Sequence, residues 1–201
     1  MWRFSWSAYA TSGGAGLPDS LANDELLMLA AGNGDLEAFA EIIRRHQAWA
    51  WKIAYRFLGH REEAEDVVQD AFLRLLDASG RYRPTASFKT YFYQIITRLC
   101  LDRAKKKQAL YVDTIADFPD PRPDVAEEML RRETAVAVRA ALDALSPNQR
   151  MAIVLRYYEG LNYEGIASAL QTTPKAVERL LARARERLRA ILGARADTSR
   201  L

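Results

Sequence analysis

The sequence predicts an all-α protein of two small helical domains joined by a flexible acidic linker. Three observations carry that expectation. Apolar residues recur at three- and four-residue steps through the long segments, and no stretch alternates strongly with the two-residue period of a strand. Residues 108–124, QALYVDTIADFPDPRPD, gather three prolines and four aspartates, a composition that breaks helices and reads as a connector. Residues 161–192 hold two helical patterns on either side of a short break at Gln171, Thr172 and Thr173, with basic residues crowded onto the second.

Charge and cysteine usage narrow the function classes. The 201 residues carry 29 Lys/Arg against 26 Asp/Glu, a net +3 that does not by itself announce a nucleic-acid binder. Its distribution says more: residues 126–201 hold 13 basic side chains against 9 acidic ones, after a connector with four Asp and one Arg. Cys100 is the only cysteine, which excludes an intramolecular disulfide and a cysteine-based zinc site. His46 and His60 lack partners at ligand spacing and read as surface helix residues. No metal site, cofactor or catalytic constellation is expected, so the chain does not read as an enzyme. No apolar run approaches a membrane span, and the N-terminus lacks an apolar signal core. A cytoplasmic protein without direct membrane insertion is the expectation.

Taken in order, residues 1–20 read as a flexible extension carrying Trp2, Phe4, Trp6 and Tyr9. The first domain spans 21–107. A short helix through Leu26, Leu27, Leu29 and Ala30 stops at Gly32, Asn33 and Gly34. Asp35 caps a long second helix through Phe39, Ile42, Ile43, Trp49, Ile53, Ala54 and Phe57, ended by Gly59. The third helix, 61–78, has an unbroken core stripe of Ala64, Val67, Val68, Ala71, Phe72, Leu75 and Leu76, with acids elsewhere. Leu73 lies off that stripe and shares a face with Asp66, Gln69 and Asp70. An apolar side chain among acids suits a protein-docking patch. Exposed leucines are common, however, so spacing alone leaves both readings open.

Residues 79–87, SGRYRPTAS, read as a loop, with Arg81, Tyr82 and Arg83 available for contacts. A fourth helix runs from Phe88 to about Lys107, with a core stripe of Phe88, Phe92, Ile95 and Leu99. Lys89, Tyr91, Tyr93, Gln94, Arg98 and Arg103 place aromatics and positive charge on its other faces, a combination that suits unstacked bases. Past the linker, residues 125–193 form the second domain, followed by a tail at 194–201. Ser146 and Pro147 start a helix in the N-cap and first-position manner. It carries Met151, Ile153, Val154, Leu155, Tyr157 and Tyr158 and ends at Gly160.

The segment 161–192 is a helix-turn-helix pattern. Thr173 caps the second helix and Pro174 opens it, where a missing N–H costs nothing. Ala167 is small where the two helices cross, and Val177 fills the space between them. From Lys175 to Arg189 there are six basic residues against Glu178 and Glu186, a surface for phosphates and base edges in a major groove.

In this order the motifs resemble bacterial RNA polymerase sigma factors of the ECF (extracytoplasmic-function) group of the sigma-70 family. EEAEDVVQDAFLRLL is similar to their region 2 clamp-binding helix, a D-x-x-Q-[DE]-x-F segment matched here by Asp66, Gln69, Asp70 and Phe72. SFKTYFYQIITRLCLDRAKKK resembles the promoter-melting helix, and LDALSPNQRMAIVLRYYEGLNYEGIASALQTTPKAVERLLARARERLRAIL resembles region 4. The resemblance implies that Asp66, Gln69, Asp70 and Leu73 face the beta-prime clamp helices of core RNA polymerase, and that region 4 meets the beta flap. It implies that Arg81, Arg83, Lys89, Tyr91, Gln94 and Arg98 read and open the minus-ten element of promoter DNA. Thr173, Lys175, Glu178, Arg179 and Arg183 would face the minus-thirty-five element as duplex. An anti-sigma factor is the further implied partner.

Six positions depart from the family pattern. Tyr91 stands where tryptophan is frequent and Arg98 where asparagine is usual. Val177-Glu178-Arg179-Leu180-Leu181 replaces V-K-S-R-L, and Gln171 occupies a turn position often held by glycine. The promoter preference therefore does not transfer. Two other classes compete: a helix-turn-helix repressor or activator acting without core polymerase, and an adaptor that binds polymerase without reading DNA. The acidic third helix opposes the first, and the basic recognition helix opposes the second.

Overall fold

A computed structural model describes residues 24–110 and 138–198, with side chains at 24–106 and 138–193. The expectations for the extension at 1–20, most of the linker, the start of the 125–145 helix and the side chains of the tail lie outside the described residues. Those described residues form eight helices and no strand: α1 (Asp24–Gly32), α2 (Leu36–Leu58), α3 (Arg61–Ser79), α4 (Phe88–Leu110), α5 (138–143), α6 (Pro147–Ile153), α7 (Tyr163–Leu170) and α8 (Pro174–Thr198). The all-α expectation holds. α4 runs to Leu110, three residues into the stretch read as linker.

Local chemistry sets several helix ends. Asp35 accepts the Ala38 N–H at 3.0 Å and starts α2. Gly59 ends it in the left-handed region at φ 79°, its N–H bonded to the Tyr55 carbonyl. Gly32 is required for another reason: a Cβ there would lie 2.5 Å from the Ser79 carbonyl oxygen, so α1 could not abut the end of α3. Ser146 and Gln149 form a reciprocal capping box on α6. The start of α4 is capped from outside, with the Phe88 N–H donating to Glu25 of α1 at 2.6 Å. A carboxylate at that end complements the helix dipole.

Burial departs from the predicted stripes where helices are short or have neighbours on two sides. α1 buries Leu27, Met28 and Ala31, while Leu26 and Leu29 face outward. Nine residues are too few for periodicity to fix a helix's rotation. α4 buries Ile96 and Cys100 along with Phe88, Phe92 and Leu99, and Ile95 is only partly covered. Tyr82 and Tyr93, expected on free faces, are both buried. His46 is not a surface residue: its side chain is 12% exposed, with Nε2 2.9 Å from Asp24 and its ring packed on Phe88.

The helix after Pro147 does not stay α-helical to Gly160. It widens at Val154–Tyr158 into one π-helical turn. Met151 to Leu155 are buried in succession, which one face of an α-helix does not allow. The reason is that α6 packs on α8 on one side and on α4 on the other, while the π turn touches α2. Tyr157 and Tyr158 then fall outside, both largely exposed.

The two halves share one core. A single buried cluster runs from Leu27 through Phe57, Phe92 and Ile96 to Leu155, Ile166, Val177 and Leu181. Its middle is aromatic, with Phe72 and Phe92 centroids 5.1 Å apart and Phe88 and Phe92 5.6 Å apart. α7 and α6 pack directly on α4, so the described parts of the two expected domains meet in this core.

Candidate protein and nucleic-acid interfaces

The acidic face of α3 forms as its spacing requires. Asp66, Gln69, Asp70 and Leu73 are all exposed, while Phe72 and Leu75 point into the core. Leu73 keeps 54% of its surface in solvent beside the acids. Asp66 also accepts from Arg103 of α4 at 2.7 Å, with both partners exposed. Such a surface pair contributes only about 0–1 kcal/mol and yields readily to another partner.

The face read as nucleic-acid binding is more divided. Arg81, Arg83, Lys89 and Arg98 are exposed, and Arg83 donates to the Tyr82 carbonyl at 2.9 Å. Lys89 holds its ammonium 5.2 Å from the Trp49 ring centroid. Tyr91 is half-buried against Tyr82, the ring centroids 5.5 Å apart. Gln94 is half-buried too, donating to Ser168 Oγ of α7 at 3.1 Å. Tyr91, Gln94 and Arg98 lie on one stripe of α4, and α7 bonds to the middle of it.

The helix-turn-helix forms on the expected residues. Asn162 caps α7 by accepting from the Gly165 N–H at 2.8 Å. The chain then turns through Gln171, a non-glycine residue at φ 51°, and Thr173 accepts from the Ala176 N–H at 3.2 Å to start α8. Ala167 and Val177 are both buried at the crossing. Thr173, Lys175, Glu178, Arg179 and Arg183 all face solvent at the exposed start of α8. Beyond them, Ile153, Tyr157, Leu188 and Leu192 line an open apolar groove between α6 and α8, rimmed by Arg185 and Arg189.

Between the halves lies a polar constellation that sequence reasoning missed. Glu159, just after the π turn, has a side chain only 7% exposed. Its carboxylate accepts from Trp49 Nε1 at 2.8 Å, Arg56 Nη1 at 2.9 Å and Tyr93 Oη at 3.1 Å. Arg56 also lies 4.7 Å from the Tyr158 ring centroid. Burial, reinforced by the Glu159 charge and hydrogen bond, pushes the Tyr93 phenol well above its ordinary value. Two arginines work alongside. Arg139 of α5 donates to the Arg56 and Leu58 carbonyls, and Arg150 of α6 donates to the Phe57 carbonyl at 3.2 Å. These are the last carbonyls of α2, where a cation is favoured. Nothing in local spacing pairs residues 49, 56 and 93 with residue 159. The sequence signal was limited to one acid following two tyrosines.

The chain is similar to known proteins in sequence and fold. The sigma-70 region 2 family model matches residues 42–110, and the sigma-70 region 4 model matches residues 135–188. The ECF RNA polymerase sigma factor SigM of Mycobacterium tuberculosis is 33% identical over 171 residues, an alignment covering 85% of each chain. The ECF RNA polymerase sigma factor SigE of Mycolicibacterium smegmatis is 30% identical over 158 residues, covering 77% of this chain and 61% of that protein. The chain thus spans about three-fifths of SigE's length. Among solved structures, CnrH in complex with the cytosolic domain of CnrY is similar at TM-score 0.63 and 26% identity, covering 85% of this chain and 97% of that one. With both region models matched in order, and a relative at this identity aligned over most of both chains, the chain belongs to the ECF group of RNA polymerase sigma factors.

Proposed function

We propose that the protein directs promoter-specific transcription initiation by binding core RNA polymerase through α3 and promoter DNA through α4 and α8. The observation that carries this reading is the exposed face of Asp66, Gln69, Asp70 and Leu73. Three polar side chains around one solvent-facing leucine offer an apolar anchor with a hydrogen-bonding and charged rim, the anatomy of a protein-docking site. The partner is the beta-prime clamp helices. The groove of Ile153, Tyr157, Leu188 and Leu192 suits an apolar segment of the beta flap.

Region 4 then presents Thr173, Lys175, Glu178, Arg179 and Arg183 to duplex at the minus-thirty-five element, with the start of α8 entering the major groove. In region 2, Arg81, Arg83, Lys89, Tyr91, Gln94 and Arg98 hold unpaired non-template bases of the minus-ten element. Stacking contributes about 1–3 kcal/mol per base, the scale needed to offset a few lost base stacks. The phosphodiester chemistry belongs to the polymerase, and the protein acts in the cytoplasm. An anti-sigma factor is its proposed inhibitor.

A pull-down with purified core RNA polymerase tests this. The wild type should be retained, and Asp66→Arg/Gln69→Ala should lower retention at least tenfold. Retention of the double variant would remove α3 as the docking face. A wild type that ignores core polymerase and binds duplex DNA alone would replace the sigma reading with a repressor.

A further inference from the structure

We infer that Glu159, helped by Arg139 and Arg150, latches region 4 onto region 2 and keeps the promoter-melting helix α4 covered until the two regions separate. The inference deepens the proposed function and rests on the assignment of α4 to unpaired promoter bases. Its first support is geometry. α7 lies on α4, and its Ser168 accepts from Gln94, the residue between Tyr91 and Arg98 on the proposed base-binding stripe. Strand and helix cannot occupy that stripe together.

The second support is the nature of the contact. Glu159 is a buried carboxylate whose charge is balanced by Arg56 and hydrogen-bonded by Trp49 and Tyr93. A buried acid with a full set of donors holds one geometry, because any shift strands a charge away from water. All three donors come from region 2, on α2 and α4, and the acid comes from region 4. Arg139 and Arg150 fasten the same joint from the other side by bonding the terminal carbonyls of α2. Gly59 leaves the room for this, since a Cβ there would overlap the Arg139 guanidinium.

The third support is reversibility. The Glu159 carboxylate, the guanidinium groups, the Tyr93 hydroxyl and the Trp49 indole N–H are all hydrated when the regions part, and the apolar core that the halves share is what polymerase binding has to offset. The α3 face and the groove of Ile153, Tyr157, Leu188 and Leu192 stay open in the closed form. Polymerase can therefore engage both before the joint opens. Engagement of two distant sites on one large partner then draws the regions apart. The closed form lowers the apparent affinity of α4 for single strands by the fraction of molecules that are open.

The test uses the full-length chain with dyes at Glu62→Cys and Glu186→Cys. Both positions are exposed, and fully buried Cys100 escapes labelling. Single-molecule energy transfer should show a high-transfer population for the wild-type latch. Glu159→Lys, which sets a cation against Arg56, and the milder Glu159→Gln should both move molecules to low transfer, while the exposed control Glu164→Lys should not. Far-ultraviolet circular dichroism checks that helicity is retained. In parallel, a short fluorescein-labelled single-stranded DNA of mixed sequence should bind Glu159→Lys at least tenfold tighter than wild type without polymerase. High transfer in both Glu159 variants, or low transfer in the wild type, overturns the latch. Opening without a gain in DNA binding overturns the covering role. A gain that persists after Lys89→Ala/Gln94→Ala leaves the latch standing and removes those residues from the base-binding site.

Discussion

Cys100 shows what a single residue's surroundings do to its chemistry. Its thiol is fully buried, and burial raises its pKa far above the ordinary 9.0. Tyr93 moves the same way from 10.0, through burial first and then the Glu159 charge. Below pH 9 both groups keep their protons in the folded and unfolded chain, and neither affects stability. Above it, the unfolded chain releases the thiol proton while the folded chain holds it. Unfolding free energy then falls by about 1.4 kcal/mol per pH unit for each such group. Urea unfolding of the wild type and Cys100→Ala should show this: the variant's alkaline loss begins later, near the ordinary tyrosine value. Equal pH slopes for the two proteins would contradict it. Individual residues were legible where their partners are local. Asp35, Ser146 and Thr173 cap as read, because the N–H that donates to a cap lies three residues away. Tyr82, Tyr93 and His46 were misplaced because Tyr91, Glu159 and Asp24 reach them from outside their own segments.

At the scale of elements, long amphipathic helices were readable and short or doubly covered ones were not. The buried face of α3 follows its predicted stripe from Ala64 to Leu75, with Leu76 only partly covered. α1 is too short to reveal its rotation, and the π turn after α6 reflects neighbours that periodicity does not see. The turn between α7 and α8 carries a prediction of its own. Gln171 sits at φ 51° and ψ 51°, a region costly for a side chain with a Cβ and open to glycine. Gln171→Gly should stabilise the protein by roughly 0.5–1 kcal/mol, after the greater unfolded-state freedom of glycine is counted. A lower unfolding midpoint for this variant would mean that the Gln171 side chain makes a compensating contact. The helix-turn-helix itself was legible down to the burial of Ala167 and Val177, since its parts lie within one short stretch.

The whole molecule is where local reading ended. Two domains and an intervening connector follow from composition, but not the packing of α6 and α7 on α4. That joint depends on side chains about a hundred residues apart, such as Trp49 with Glu159. A shared core implies shared unfolding. Tryptophan fluorescence and far-ultraviolet circular dichroism should give coincident denaturant transitions, as one cooperative unit does. Two separated transitions would show that the halves are energetically independent.

The arginine bonds to the end of α2 also bear on the order of synthesis. The Arg56, Phe57 and Leu58 carbonyls are made long before Arg139 and Arg150. A growing chain that has completed α4 carries a finished N-terminal helical unit whose second helix still ends in water. The ribosome must deliver a further 29 residues to reach Arg139 and 40 to reach Arg150 before the guanidinium groups arrive. The N-terminal unit is thus shaped early and sealed late, so a truncated product that stops at the linker would display the α4 surface uncovered.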